Sequence, residues 1–160
     1  MKKVLLTLVL ALTMIQGASA QFEQGKKYVG ASLTGLNLSF SDMKDFAFGL
    51  DANAGYFIER DLMLVGNFGV DTSNGNLNEF TLGAKARYYL EQNGLYLAGG
   101  LQYRHFFSSS NDLQLTPEVG YCYFLNRYIT VEPAIYFDLS LTDFSHKSEF
   151  GLKCGIGIYF

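Results

Sequence analysis

The sequence contains no tryptophan, and it has only two prolines, two cysteines and two histidines among its 160 residues. After Ala20 it has no apolar run long enough for a membrane-spanning helix, so residence in a membrane would have to come from strands. Its 12 Lys and Arg are outnumbered by 15 Asp and Glu, and they form no basic stripe of the kind that binds nucleic acid. The 17 glycines, 11 tyrosines and 14 phenylalanines favour many strands joined by short turns.

Residues 1–20 have the form of a secretory signal peptide. Two lysines precede an apolar run over residues 4–15, and Ala-Ser-Ala stands directly before Gln21. The run is short for a transmembrane helix, and the small residues fit a cleavage site. We therefore expect residues 1–20 to be removed and residues 21–160 to form a single domain.

The last stretch, residues 153–160, alternates between two kinds of side chain. Ile156, Ile158 and Phe160 share one parity, whereas Lys153, two glycines and Tyr159 take the other. A period of two is typical of a strand with two different faces. An aromatic residue at the end of such a strand suits the interface between a membrane and water. We interpret this stretch as the closing strand of a barrel that crosses a membrane.

Eight segments with this alternation follow one another along the chain, separated by polar or glycine-containing breaks. They are residues 28–40, 46–58, 62–70, 79–90, 95–106, 113–125, 128–141 and 148–160. A tilted membrane strand needs about 9–11 residues, which each segment supplies or nearly supplies. Tight connections alternate with looser ones, as in barrels with periplasmic turns and outer loops. The sequence therefore predicts an all-β fold, an eight-stranded antiparallel up-and-down transmembrane β-barrel.

The charged residues test this interpretation, because lipid and water demand opposite arrangements. Large apolar residues set the outward parity, for example Leu82 and Tyr88 in the fourth segment and Ile135 and Phe137 in the seventh. With these phases fixed, charged residues of the segments point inward: Asp51, Glu79, Lys85, Arg87, Arg104, Glu118, Glu132, Asp138, Glu149 and Lys153. A basic side chain facing lipid at mid-bilayer costs about 2–4 kcal/mol, so a bilayer requires such segregation. A water-soluble eight-stranded barrel would show the inverse pattern.

Three finer expectations follow from the same parities. The first segment changes phase near residues 34–35, where a bulge at glycine would reconcile its two halves. Tyr89 and Tyr96 are expected to fill the lumen. Cys122 points inward and Cys154 outward on strands that are not neighbours, so we expect two free thiols even in an oxidising compartment.

The C-terminal pattern carries a resemblance to a known family. Lys153, Gly155, Ile158 and Phe160 match the terminal signal read by the barrel-assembly machinery. The mature chain resembles the small bacterial outer-membrane β-barrel family of OmpA and OmpX type, although it lacks the periplasmic domain of OmpA. The resemblance implies export to the bacterial outer membrane, contact with its lipid, and the assembly machinery as a partner during biogenesis. We expect a monomer, and the sequence indicates no specific partner protein.

The expected lumen contains opposite charges that could satisfy one another. Lys85 and Arg87 are predicted to pair with Glu118 and Glu132 and so to plug the barrel, because an unpaired buried charge is costly. The predicted role is therefore structural, or one of surface interaction in the cell envelope, without enzymatic activity. The alternative is a small porin-like pore for ions or small solutes.

A lipid-modifying enzyme is the least favoured interpretation. A lipid A deacylase of similar architecture has a His-x-Ser pair followed by a glutamate, and His146 and Ser148 have that spacing. The position where the glutamate would stand, however, is Phe160. The two histidines are too few to indicate a metal site, and the repeated glycines are not phosphate loops because no helix follows them. We expect no cofactor.

Overall fold

The computed structural model of the protein describes residues 22–34, 47–73, 76–91, 93–106, 110–142 and 148–160. Ten strands lie within these residues. They are β1 Lys27–Thr34, β2 Ala47–Glu59, β3 Leu62–Ser73, β4 Asn76–Tyr89, β5 Leu95–Phe106, β6 Ser110–Leu115, β7 Glu118–Tyr121, β8 Tyr123–Phe124, β9 Ile129–Ser140 and β10 Glu149–Tyr159. The predictions for the signal peptide, for the phase change after Thr34, for His146 and for the side chain of Glu149 lie outside the described residues.

The strands form a closed antiparallel ring in chain order. Each strand from β1 to β5 pairs with the next, and β10 pairs with both β9 and β1. The short strands β6, β7 and β8 follow one another along the same position in the wall, since all three pair with β9. The ring therefore has eight positions, and the predicted fold is confirmed. No helix among the described residues is long and apolar enough to span a membrane.

The sixth position is divided into three short strands, whereas the alternation predicts one continuous strand over residues 113–125. Both prolines of the chain explain the division, because proline has no backbone N–H to donate to a ladder. Pro117 lies between β6 and β7. Pro133 lies in β9 opposite the gap between β7 and β8, where paired residues resume on either side with Ala134 and Val131. The inward and outward alternation continues through both gaps, so the prolines interrupt pairing without changing the phase.

The third and fourth segments are longer than predicted. Strand β3 continues to Ser73 and strand β4 begins at Asn76, whereas the predicted segments leave residues 71–78 as a loop. Asp71 still pairs with Glu79, and a register shift between Asp71 and Thr72 follows. The backbone pairing of β3 with β4 therefore continues into residues whose side chains do not alternate between apolar and polar.

Three turns define one end of the barrel, called here the turn side. They lie between β2 and β3, between β4 and β5, and between β8 and β9. Asp61 in the first has a φ of 65°, and Gly94 in the second has a φ of 91°, a conformation that glycine adopts freely. The third covers residues 125–128, between the end of β8 and the start of β9. Within it, the Asn126 Oδ1 accepts hydrogen bonds from the backbone N–H groups of Tyr128 and Ile129.

The alternating residues of each strand separate into an outer apolar face and an inner polar one. Outward side chains such as Leu82, Ile156 and Phe160 are more than half exposed to the surroundings of the isolated chain. Inward side chains such as Glu118 and Glu132 are buried. Cys122 is buried and Cys154 exposed, and both are free, as predicted.

Candidate functional site in the lumen

The middle of the lumen holds five charged side chains, called here the central cluster: Lys85, Arg87, Glu118, Glu132 and Lys153. Glu118 projects from β7 and receives three cations. Its Oε2 lies 3.2 Å from the Lys85 Nζ and 2.6 Å from the Lys153 Nζ, and its Oε1 lies 3.8 Å from the Arg87 Nη2. The Tyr96 hydroxyl donates to the same Oε1 at 2.8 Å. The hydrogen bonds from the two lysines to the Glu118 carboxylate join charged groups and are therefore stronger than hydrogen bonds between neutral groups.

Glu132 in β9 is held by a second set of donors, three from other strands and one, Thr130, from β9 itself. The Arg87 Nη1 donates to its Oε2 at 2.9 Å, and the Tyr28 hydroxyl donates to the same atom at 2.9 Å. The Thr130 Oγ1 donates to Oε1 at 2.8 Å and the Tyr159 hydroxyl at 2.9 Å. A buried carboxylate is tolerated when its lone pairs are satisfied in this way.

The guanidinium of Arg87 lies among aromatic rings as well as carboxylates. Its Cζ is 4.1 Å from the centre of the Tyr96 ring and 5.2 Å from that of Tyr28. A cation over the face of an aromatic ring is stabilised by the negative charge density of that face. The central cluster therefore joins β1, β4, β5, β7, β9 and β10 through side-chain contacts across the barrel.

A second group of charges lies on the opposite side of the central cluster from the turns. Arg104 contacts the Glu79 Oε1 at 3.3 Å and the Asp138 Oδ2 at 3.1 Å. Asp112 is buried and accepts hydrogen bonds from the Ser140 hydroxyl at 2.8 Å and from the Gln114 amide at 3.0 Å. Asp51 also faces the lumen, where its carboxylate lies over Gly69 of the neighbouring strand. The predicted network residues thus fall into two groups, with Asp51 beside them.

The turn side of the lumen is filled by aromatic side chains, called here the aromatic floor: Phe22, Phe57, Tyr89, Phe124 and Tyr159. The Phe22 ring stacks on Tyr89 with a centroid distance of 4.0 Å, and it lies 5.7 Å from Phe124 and 5.9 Å from Tyr159. The Tyr89 and Tyr159 hydroxyls are 2.9 Å apart. The alternation predicted the inward direction of Tyr89, but Phe22 precedes the first segment and was missed.

Of the two histidines, His105 is the one that lies within the described residues. His105 lies at the exposed end of β5, where its Nδ1 is 2.5 Å from the Asn111 Oδ1 and its ring packs against Phe80. Within the described part of the chain, no group of three or more His, Cys, Asp or Glu side chains is arranged to hold a metal ion.

Comparison with known proteins gives a family for this architecture. The N-terminal β-barrel domain of Pseudomonas aeruginosa OprF is similar to the chain with a TM-score of 0.66 and 18% identity, covering 86% of this chain and 98% of that one. Neisserial surface protein A (NspA) has a TM-score of 0.58 and 15% identity, covering 86% and 100%. The Yersinia pestis outer membrane protein Ail has a TM-score of 0.57 and 12% identity, covering 86% and 100%.

These solved structures share the fold with the chain at low sequence identity. No curated protein matches it. The profile of the outer membrane protein beta-barrel domain, however, matches residues 5–160, which is nearly the whole sequence. The chain therefore belongs to the outer membrane protein beta-barrel domain family.

Proposed function

We propose that the protein is a non-enzymatic integral barrel of the bacterial outer membrane, with a structural or surface-interaction role and a lumen closed to solutes. The central cluster carries this proposal. An eight-stranded barrel has an interior just wide enough for side chains. Here that space holds Glu118 and Glu132, each with an exposed fraction below 5%, together with the cations that they bind.

The energetics of burial support a closed state. A solute crossing the lumen would have to separate Arg87 from Glu132, or Lys85 and Lys153 from Glu118. Breaking a buried pair leaves an uncompensated charge, which costs several kcal/mol, about 3–5 kcal/mol when one partner is removed outright. The pairs therefore favour the arrangement in which the lumen is filled.

Planar-bilayer recording tests the closed lumen directly. We expect the purified wild-type barrel to show no steady large conductance at moderate voltage. The Lys85→Ala variant removes one of the three cations around Glu118, and Glu118→Ala removes the carboxylate that Lys85 and Lys153 share, so both should show more frequent brief openings than wild type. Steady conductance by the wild type would contradict the proposal and favour a small porin-like pore.

Unaltered lipid A mass in cells expressing the protein is the matching expectation for a non-enzymatic barrel.

The terminal residues Lys153, Gly155, Ile158 and Phe160 are proposed to act as the recognition signal of the barrel-assembly machinery. The backbone of Phe160 exchanges hydrogen bonds with Lys27, at 2.8 and 3.0 Å, while its side chain is 56% exposed. The ring is thus available for recognition without being needed for packing in the lumen.

A Phe160→Ala substitution separates recognition from stability. We expect it to reduce the amount of protein assembled in cellular outer membranes several-fold while leaving spontaneous refolding in detergent unchanged. Heat-dependent mobility on a gel measures the folded fraction in both settings. Phe150→Ala, a similarly exposed aromatic in the same strand, is the control and should assemble as wild type. Equal assembly of Phe160→Ala and wild type would remove the proposed signal.

A further inference from the structure

The residues before β1 cross the turn side of the barrel as a short segment, residues 22–26, called here the N-terminal strap. Its backbone is fastened to the end of β2 and to the turn that follows. The Asp61 N–H donates to the Phe22 carbonyl at 2.9 Å, and the Gly25 N–H donates to the Phe57 carbonyl at 2.9 Å. The Gln24 side-chain amide donates to the Ile58 carbonyl at 2.9 Å. The strap is therefore a defined structure.

Phe22 is the one strap side chain that is fully buried. Its exposed fraction is 0%, whereas Glu23, Gln24 and Gly25 are exposed. The ring enters the aromatic floor from outside, against Tyr89. Three other floor residues, Phe57, Tyr89 and Tyr159, belong to strands that are paired on both sides, and Phe124 belongs to β8, which pairs with β9.

The buried cluster that contains Phe22 also contains polar groups, the Tyr159 hydroxyl and the Cys122 thiol. The Tyr159 hydroxyl is 3.3 Å from the Cys122 Sγ and also donates to the Glu132 Oε1 at 2.9 Å. Tyr159 thus connects the floor with the central cluster. If Phe22 withdrew, the other rings of the floor would remain, but the buried cluster that contains Tyr159 and Cys122 would lose one of the side chains that cover it.

We infer that the N-terminal strap reversibly closes the lumen at the turn side, with Phe22 as the side chain that fills the opening. The inference goes beyond the proposed function, because it depends on Phe22 and not on the charges of the central cluster. Either proposal could therefore be contradicted without the other. The strap opens by losing a few hydrogen bonds to β2 and its turn, while the eight-position wall stays paired. Such an opening is a sub-global event, which needs less free energy than unfolding of the whole domain.

Cys122 is a built-in reporter for this opening, because it is 2% exposed and belongs to the same buried cluster as Phe22. In a Cys154→Ala background it is the sole cysteine of the chain. The folded protein in detergent is treated with a water-soluble methanethiosulfonate bearing a sulfonate group, and the rate of labelling is followed by mass spectrometry. We expect slow labelling of the protein with Phe22 and labelling about tenfold faster or more with Phe22→Ala. Phe22→Leu, which keeps an apolar side chain, should lie between them.

Phe137→Ala is the matched control, because Phe137 is a large side chain on the outer face of β9. Cys122 in this variant should be labelled at the same rate as in the Cys154→Ala protein, which keeps both Phe22 and Phe137. Equal rates for Phe22→Ala and its parent would overturn the inference, and so would an equal increase in Phe137→Ala, which would indicate general loosening.

A urea titration of the protein with Phe22 intact tests the inference even if Phe22→Ala does not fold. Labelling of Cys122 should rise at urea concentrations below those at which the heat-dependent gel shift is lost. If labelling and global unfolding coincide, the strap does not open separately from the barrel and the inference is wrong.

Discussion

Replacing Glu132 with alanine should lower the free energy of unfolding by about 3–5 kcal/mol, the range seen when one partner of a buried ion pair is removed. The substitution leaves the guanidinium of Arg87 at 5% exposure without its nearest carboxylate. It also removes the acceptor of the Tyr28 and Tyr159 hydroxyls and of Thr130. Urea unfolding of the barrel in lipid vesicles, followed by tyrosine fluorescence or by gel mobility, measures the loss.

Two further variants show whether this loss comes from the buried pair. Glu59→Ala removes an exposed carboxylate at the end of β2 and should change stability by no more than about 0.5 kcal/mol. Adding Arg87→Met to Glu132→Ala removes the charge that has lost its partner. The double variant should therefore lose less unfolding free energy than the two single variants lose together, by roughly 0.5–3 kcal/mol. A loss below about 1 kcal/mol for Glu132→Ala would mean that the central cluster does not stabilise the barrel.

Placing arginine on the outer face should be nearly as costly if that face meets lipid. Ile135 lies in the middle of β9, 42% exposed, between Val119 of β7 and Leu152 of β10. Ile135→Arg should reduce stability in vesicles by about 2–4 kcal/mol, because a basic side chain at the bilayer midplane loses its hydration. Unfolding in urea from the same vesicles gives the value.

The turn between β8 and β9 supplies the control for depth. Leu125 is 60% exposed but lies at the turn side, so Leu125→Arg should cost only about 0–1 kcal/mol. In water, both arginines would be tolerated alike, within about 0.5 kcal/mol. Equal and small effects in vesicles would therefore show that the outer face of β9 does not contact the bilayer interior.

The general fold was predictable because lipid and lumen impose opposite requirements on alternate residues. That alternation is visible at Leu82 and Ile135 on one face and at Lys85 and Glu118 on the other. The division of the sixth strand was not predictable by the same means. Pro117 and Pro133 remove hydrogen-bond donors but leave the alternation of their neighbours unbroken, so the pattern does not report the gaps.

The residues that face the lumen and the pairing of Lys85 and Arg87 with Glu118 and Glu132 were predicted, whereas the other contacts of these two carboxylates were not. Parity placed Arg87 and Glu132 inside, but the register that brings β4 and β9 side chains together across the barrel depends on how the ring closes. Phe22 left no signal at all in the pattern. It stands alone in a polar stretch before the first strand, and its position depends on hydrogen bonds to Asp61 and Phe57, which are distant in sequence.

The pairing of Lys27 with Phe160 belongs to the contact that closes the ring. The other wall contacts join segments that are neighbours along the chain, whereas β1 and β10 join its two ends. Contacts of such long sequence separation form slowly, because the intervening chain must first be ordered. Until β10 reaches β1, both strands have unpaired edges that other chains could join. We therefore expect ring closure to follow the pairing of neighbouring segments, and we expect the chain to be most open to aggregation before it.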